Sequence, residues 1–399
     1  MQNMDVLSGL RVDNNIIKTT SQYEFSFDVV TTNNIFDLNN TAILNVCKGK
    51  KLLIVISETI ETLYGERIRN YFEGNYKPEM FKIIIINTTE ANKNIENVLS
   101  VCKAGKEFGL DRTSLMVAIG GGILMDIVGF ASSIFKRKLN YIRIPTTLVG
   151  HIDAGVGIKT GVNFSGSKNY IGAFHPPVNV INDIDFLKTL PVKEIVCGLS
   201  EIIKMGIIVD MELFELVESH YAVLIEGRYQ GDILISNRVN NLAIVGMLKQ
   251  LIINFYENDL ERLVDFGHTF SPFIEEYTNY RVKHGIAVAM DMAISTEISY
   301  LLNKISKNER NRILNLILNI GVNIYDEKIY NTQLMYKSLI NIVLHRGGDL
   351  NLVIPTEIGQ ATFIKSLDEV PCYLLQVVFE NLKNYQLSGS VTDENSIGV

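Results

Sequence analysis

Apolar residues follow one period in the first half of the chain and another in the second. KLLIVIS (51–57), FKIIIIN (81–87), SLMVAIG (114–120) and YIRIPTT (141–147) are short apolar runs closed by turn residues, which predicts buried strands. Between them, ETLYGERIRNYF, TTEANKNIENVLSVCKAGKEFG and the stretch from Gly122 to about Phe135 repeat apolar residues at helical spacing. Strands alternating with helices predict a mainly parallel sheet covered on both faces. YEFSFDVV (23–30) alternates like a half-buried strand, and the stretch after Thr147 up to Gly172 reads as a polar loop.

After FLKTLPVKEI (186–195) strand-like runs become rare. GLSEIIKMGII, MELFELVESHYAVLI, ILISNRVNNLAIVGMLKQLI, GIAVAMDMAISTEISYLLNKI and NERNRILNLILNI all carry helical spacing. This predicts two domains meeting near Pro191: α/β over 1–190 and helical over 191–399. Within the second, LNLVIPTEIGQATFI (350–364) predicts a short hairpin and SLDEVPCYLLQVVFENL a last helix, with a disordered tail from about residue 387.

Composition narrows the function classes. The 399 residues are 47% hydrophobic and 20% charged, with net charge −7 and no basic tract, which argues against nucleic acid as a partner. No apolar run reaches the ~20 residues of a membrane span, and MQNMDVLSGLRVDNN lacks the pattern of a signal peptide. Cys47, Cys102, Cys197 and Cys372 are scattered without CxxC spacing, as expected of reduced packing cysteines in a cytoplasmic protein.

Candidate chemistry concentrates between Val117 and Gly172. Gly120, Gly121 and Gly122 follow a strand and open a helix. They let a phosphate-bearing ligand approach the backbone beside free N–H groups and the positive end of the helix dipole. The spacing is not GxGxxG, so a plain tight turn stays open as the alternative. Asp126, one turn on, suits a ribose or nicotinamide contact, or a cap. Lys159, Lys168 and Asn169 suit a second phosphate. Further on, Glu201, His268 and His284 offer one carboxylate and two imidazoles, a usual catalytic zinc set. Their separation in sequence leaves convergence undecided, and His151, His175, His220 and His345 compete for the role. Lys204 shares a helix face with Glu201 and serves either a phosphate or an ion pair. Asp265 precedes His268 by three residues, and Arg137 lies in a basic loop.

Together, GGGILMDIVGFASS, RIPTTLVGHIDAGVGIKTGVN, GSKNYIGAFHPP, GLSEIIKMGII, DFGHTFSP and HGIAVAMDMA resemble the sugar phosphate cyclases, the superfamily of dehydroquinate synthase, over roughly residues 50–300. The resemblance implies an N-terminal dinucleotide-binding α/β domain, an all-α C-terminal domain, an active site in the cleft and a homodimer. It implies zinc, for which cobalt substitutes, at Glu201, His268 and His284. It implies NAD at Glu90, Lys93, Gly121, Gly122, Asp126, Thr146, Thr147 and Lys168. Substrate and phosphate contacts fall at Asp153, Lys159, Asn169, Lys204 and Asp265, with Arg137 reaching across a dimer interface. Ser57 departs from the family, which usually has Asp there to hold the adenosine ribose. Ile286 stands where the family often has Glu.

Dehydroquinate synthases bind a substrate carboxylate with an Arg and a Lys. Counted back from DFGH, those positions are Glu261 and Met247 here, so a carboxylate would be repelled and a neutral sugar phosphate is expected. The resemblance is nearest to the branch that cyclises sedoheptulose 7-phosphate. Leu251, Asp265 and His345 match the type that forms 2-epi-5-epi-valiolone by transient oxidation with NAD, phosphate elimination, reduction and intramolecular aldol closure. Alternatives are demethyl-4-deoxygadusol or 3-dehydroquinate formation within the superfamily, and an NAD-dependent polyol dehydrogenase outside that reaction class.

Overall fold

A computed structural model describes residues 9–13, 16–21, 24–345 and 348–390. Strands β1 (Leu10–Asp13) and β2 (Ile16–Thr19) pair as an antiparallel hairpin. Next come β3 (Asp28–Thr32) and helix α1 (Ala42–Cys47). The strand expected over 23–30 therefore starts only at Asp28. Phe25 and Phe27 leave the sheet and pack their rings on Phe255, at centroid distances of 5.2 and 6.3 Å; Tyr23 lies outside the described residues.

The predicted alternation then follows: β4 (Leu52–Ser57), α2 (Glu58–Asn75), β5 (Phe81–Ile86), α3 (Ile95–Glu107), β6 (Leu115–Gly120), α4 (Gly122–Ile134) and β7 (Asn140–Pro145). Strands β4 and β6 are buried along their whole length, because helices cover both faces. The stretch expected as a polar loop is largely ordered. It holds a π-helical turn at Gly150–Ala154, then the antiparallel strands β8 (Lys159–Phe164) and β9 (Ser167–Phe174). Most of β9 is exposed, so no apolar alternation marked it. Strand β10 (Asn179–Asp183) returns to the sheet.

Among the described residues the main sheet has six strands, ordered β3-β10-β7-β6-β4-β5 and parallel throughout. Strand addition reverses direction between β4 and β6. The carboxyl ends of those strands, Ser57 and Gly120, flank the crevice where open α/β sheets take ligands.

From Val192 the chain is helical: α5 (Val192–Val209), α6 (Met211–Glu226), α7 (Ile233–Leu251), α8 (Ser271–Tyr277), α9 (His284–Leu301), α10 (Lys307–Asn319) and α11 (Thr332–His345). The predicted hairpin forms from β11 (Leu352–Glu357) and β12 (Gln360–Ile364), and α12 (Cys372–Ser390) closes the fold. Helix α12 runs past the expected start of a disordered tail: Leu382 is buried in the core, Tyr385 Oη hydrogen-bonds Asn315 Oδ1 at 2.9 Å, and the helix continues through 387–390. Residues 391–399 lie outside the described set. No described helix is long and apolar enough to cross a membrane.

The core of the helical part is built around α5 and α9, which are apolar on nearly all sides because other elements surround them. One buried polar group ties its helices together. Glu297 of α9 accepts from Arg310 Nε at 2.7 Å and Asn381 Nδ2 at 2.8 Å, tying α10 and α12 to α9.

Candidate active site

The crossing of α5 and α9 creates a cluster of metal ligands. Gly285, the second residue of α9, lies against Cys197 of α5. A Cβ there would fall far inside van der Waals contact with the Cys197 backbone. Glu201 is one helical turn beyond Cys197 and so shares its face. The close approach thus sets His284 Nε2 3.4 Å from Glu201 Oε1.

His268 arrives from a loop. Gly267 takes φ of +77°, a left-handed conformation that suits glycine and turns the chain back. Buried Phe266 and Phe270 anchor the loop on either side. Asp291 accepts hydrogen bonds from the backbone amides of Phe270 and Ser271. Asp291 follows His284 by seven residues, two turns along one face of α9. One helix stripe therefore supplies a ligand and fixes the loop that carries another. Burial pushes the Asp291 carboxyl up to about 6, and its four hydrogen-bond donors oppose that shift.

The ligating atoms of Glu201, His268 and His284 lie within 4.8 Å of one another. His268 Nε2 is 3.9 Å from Glu201 Oε1. Both imidazoles have Nδ1 occupied, His268 by Phe266 O at 3.0 Å and His284 by Glu275 Oε1 at 2.8 Å, so each presents Nε2 inward. Both Glu201 oxygens are buried and accept no hydrogen bond; Lys204 Nζ stands 2.7 Å from Oε2 as an ion pair without hydrogen-bond alignment. An orphaned buried carboxylate facing two imidazole nitrogens, each oriented by an outer partner, fits a tetrahedral metal ion with an open position.

The electrostatics agree with that donor set. Burial opposes ionisation of Glu201, but Lys204 and the two histidines outweigh it and hold the carboxyl well below its usual range. Burial and the Lys204 charge bring His268 down to about 4, leaving a neutral imidazole ready to ligate. Burial also opposes charge on His284, yet the neighbouring Glu201 and Glu275 carboxylates push it up to about 10. Metal binding there displaces a proton. Glu275→Leu removes the acceptor that orients His284, so metal affinity is expected to fall roughly 10–100-fold. Chelator competition on the folded protein measures this, and unchanged affinity would show that Glu275 plays no part in orienting the ligand.

Around the ligands lie the charged groups read from the sequence. Lys204 is buried; desolvation disfavours its charge, and the carboxylates of Glu201, Asp153 and Asp265 together raise its pKa regardless. Glu201 Oε2 lies 2.7 Å from its ammonium. Lys168 reaches Glu275 Oε2 at 2.9 Å and stacks over Tyr280, which sets it beside His284 rather than with the cofactor residues. Lys159 pairs with Glu257 at 2.7 Å.

At the strand ends, Gly121 allows Thr147 to approach within van der Waals contact, and the amide of Thr146 donates to Gly120 O at 2.9 Å. Lys93 binds Asp126 Oδ2 and Asn169 Oδ1, each at 2.5 Å, so Asn169 shares a cation with Asp126. Glu90 Oε1 accepts from Asn163 Nδ2 at 2.8 Å and stands next to this group. Ser57 Oγ accepts the Ile60 amide at 3.2 Å and caps α2. The position where a family aspartate was expected thus carries a helix cap.

Five further positions named from the sequence lie as follows. Arg137 lies beyond the C-terminus of α4, about 20 Å along the helix from the glycine turn, and the chain does not bring it to the cluster. Met247 is buried and Leu251 half-buried near the end of α7. His345 ends α11, its side chain and residues 346–347 lying outside what is described. Glu261, expected to face the pocket, is exposed and pairs with Lys365 at 2.6 Å; its neighbour Arg262 points inward and clamps Asp265. Arg262 is the residue immediately before the 3-10 turn at Leu263–Asp265.

Arg262, Glu257, Glu275 and Asp291 were not read from the sequence. Asp291 had a usable signal, an acid in the otherwise apolar HGIAVAMDMA at helical spacing from His284. The other three are ordinary surface-type charges by sequence.

The fold and the ligand cluster define a metal-dependent enzyme on a dinucleotide-type α/β scaffold. The chain belongs to the 3-dehydroquinate synthase family: the family's N-terminal model matches residues 83–197 and its C-terminal model residues 198–344. A 2-epi-5-epi-valiolone synthase from Streptomyces glaucescens is 39% identical over 94% of this chain and 96% of its own. A demethyl-4-deoxygadusol synthase from Trichormus variabilis is 34% identical over 86% of this chain and 85% of its own. The structure of the 2-epi-5-epi-valiolone synthase of Streptomyces hygroscopicus subsp. jinggangensis, solved with NAD+ and Zn2+ bound, superposes with a TM-score of 0.85 at 36% identity, covering 92% of this chain and 99% of that one.

Proposed function

We propose that this chain is a sugar phosphate cyclase that converts sedoheptulose 7-phosphate to 2-epi-5-epi-valiolone and inorganic phosphate, with NAD and zinc as cofactors. The observation that carries the reading is the convergence of Glu201, His268 and His284 beside Lys204 and Asp265. That cluster occurs in a chain most of whose length is related to synthases of this product. The demethyl-4-deoxygadusol and 3-dehydroquinate synthases among its relatives remain the alternatives within the family.

In this reading the domains divide near residue 190, the first holding the cofactor and the second the metal and most of the substrate. Glu201, His268 Nε2 and His284 Nε2 hold the metal. Gly121, Gly122, Thr146, Thr147, Lys93, Asp126 and Glu90 form the cofactor side. Bound NAD supplies reversible oxidation at a ring carbon, and the metal is a Lewis acid for the oxygen on that carbon. Lys159, Lys204 and Asn169 orient the phosphate, which fixes the geometry for its departure. Lys204 brings a charge that cannot easily be lost, since three carboxylates hold it protonated. Asp153 and Asp265 accept hydrogen bonds from sugar hydroxyls. Arg137 serves only in a homodimer, from the neighbouring subunit, and the setting is a cytoplasmic biosynthetic one.

Incubation with sedoheptulose 7-phosphate, catalytic NAD and zinc is expected to release phosphate and yield a C7 cyclitol without net NADH. NMR of the product identifies it. Steady NADH accumulation without phosphate release would instead make the chain a polyol dehydrogenase.

A further inference from the structure

Arg262 is a charged side chain in this site that the reaction leaves without a role. It sits three residues before Asp265, whose carbonyl accepts the His268 amide at 2.9 Å, so it adjoins the metal ligands. All three of its nitrogens are engaged by carboxylates. Nη2 lies 2.6 and 2.9 Å from the two Asp265 oxygens, Nε lies 3.2 Å from Asp265 Oδ2, and Nη1 pairs with Glu257 Oε1. Glu257 also holds Lys159.

The segment carrying Glu257 is built to keep it there. Glu257 has φ of +53°, a conformation few non-glycine residues adopt. Asn254 brackets it with two hydrogen bonds to the Asp259 backbone, at 2.7 and 3.2 Å. The neighbouring Tyr256 ring packs against Phe25 and Phe174, at 6.3 and 5.6 Å.

We propose that Arg262 determines the substrate class of this site by being saturated: with Glu257 and Asp265 on its guanidinium, the wall accepts sugar hydroxyls and turns away a carboxylate. This rests on the sedoheptulose 7-phosphate reading. Lys159 and Arg262 balance Glu257 and Asp265 in charge. When a substrate phosphate claims Lys159, the wall keeps two carboxylates on one guanidinium. Ionised carboxylates only accept hydrogen bonds, so their remaining lone pairs suit hydroxyl donors. A substrate carboxylate would bring a third negative charge to a guanidinium with no free edge. Neutral-substrate selectivity thus resides in the Glu257–Arg262–Asp265 group, with Glu261 outside the pocket.

The test measures binding, without turnover. Calorimetry on the zinc- and NAD-loaded protein compares 6-phosphogluconate, which carries a carboxylate, with glucose 6-phosphate, which does not. In the parent, glucose 6-phosphate is the tighter ligand. In E257Q/D265N the guanidinium loses both anionic partners, and the ratio of affinities is expected to shift toward 6-phosphogluconate by about tenfold or more. Adding R262M to that variant is expected to abolish the shift, and E257Q alone to give part of it. An unchanged ratio in E257Q/D265N, no measurable 6-phosphogluconate binding by it, or a gain that survives R262M each overturns the proposal. Phosphate release from sedoheptulose 7-phosphate by the parent is read separately, so a failure of the proposed reaction is distinguishable from a failure of the selectivity mechanism.

Discussion

Glu201→Gln is expected to lower the rate of phosphate release by roughly 10³-fold or more, the several kcal/mol that a Lewis acid contributes to such a barrier. Glutamine keeps the side-chain volume, so the core of α5 stays filled. It removes the one anionic ligand from a set in which both imidazole nitrogens already point at Glu201 Oε1. It also removes the 2.7 Å counter-ion of Lys204, which is itself buried. Breaking one side of a buried pair costs about 3–5 kcal/mol, so a loss of thermal stability accompanies the loss of activity. The measurements are metal content after dialysis, a melting curve and a phosphate-release assay. A variant that retains stoichiometric zinc and full turnover would remove Glu201 from the metal site.

The second large effect is expected at Gly285, which touches neither metal nor substrate. In Gly285→Ala the added Cβ meets the backbone of Cys197, which cannot swing aside as a side chain would. Helices α5 and α9 must separate. Overpacking of this kind costs about 1–3 kcal/mol. The more specific consequence is geometric, because separation draws His284 Nε2 away from Glu201. Zinc affinity is expected to fall about 10–100-fold, as when ligand orientation is lost. Gly206→Ala makes the informative control. It crowds the backbone of Phe214 elsewhere on α5, far along the helix from Cys197, and is expected to cost stability with less effect on zinc. Equal losses of zinc affinity in the two variants would mean that general destabilisation, rather than the Gly285 crossing, is responsible.

Charge accounts for much of what the chain could not reveal locally. Lys159, Lys168 and Lys204 are legible as anion-binding candidates because each lies in a recognisable motif. For Lys159 and Lys168 the acidic partners, Glu257 and Glu275, come from other elements, whereas Glu201 lies one turn before Lys204 on α5. Which acid meets which lysine is a matter of helix crossing and loop path. The same holds for Arg262, whose partners Glu257 and Asp265 lie on either side of it in the loop after α7.

Hydrophobic periodicity alone was enough for β4 to β7, the helices between them, and the change to helices at α5, since buried strands and amphipathic helices differ in period wherever one face is sequestered from water. It was not enough for β8 and β9, since β9 is mostly exposed and the pair is held by backbone hydrogen bonds that any sequence can make. The identity of the metal-ligand candidates was likewise readable from residue type, and their family resemblance from motif order. Their convergence was not. Glu201 and His284 are brought together by a glycine that lets two helix backbones touch, and His268 is held in place by an aspartate two turns into α9. Residue chemistry is written along the chain, but ligand geometry depends on distances between segments far apart in it, and only packing in three dimensions sets those.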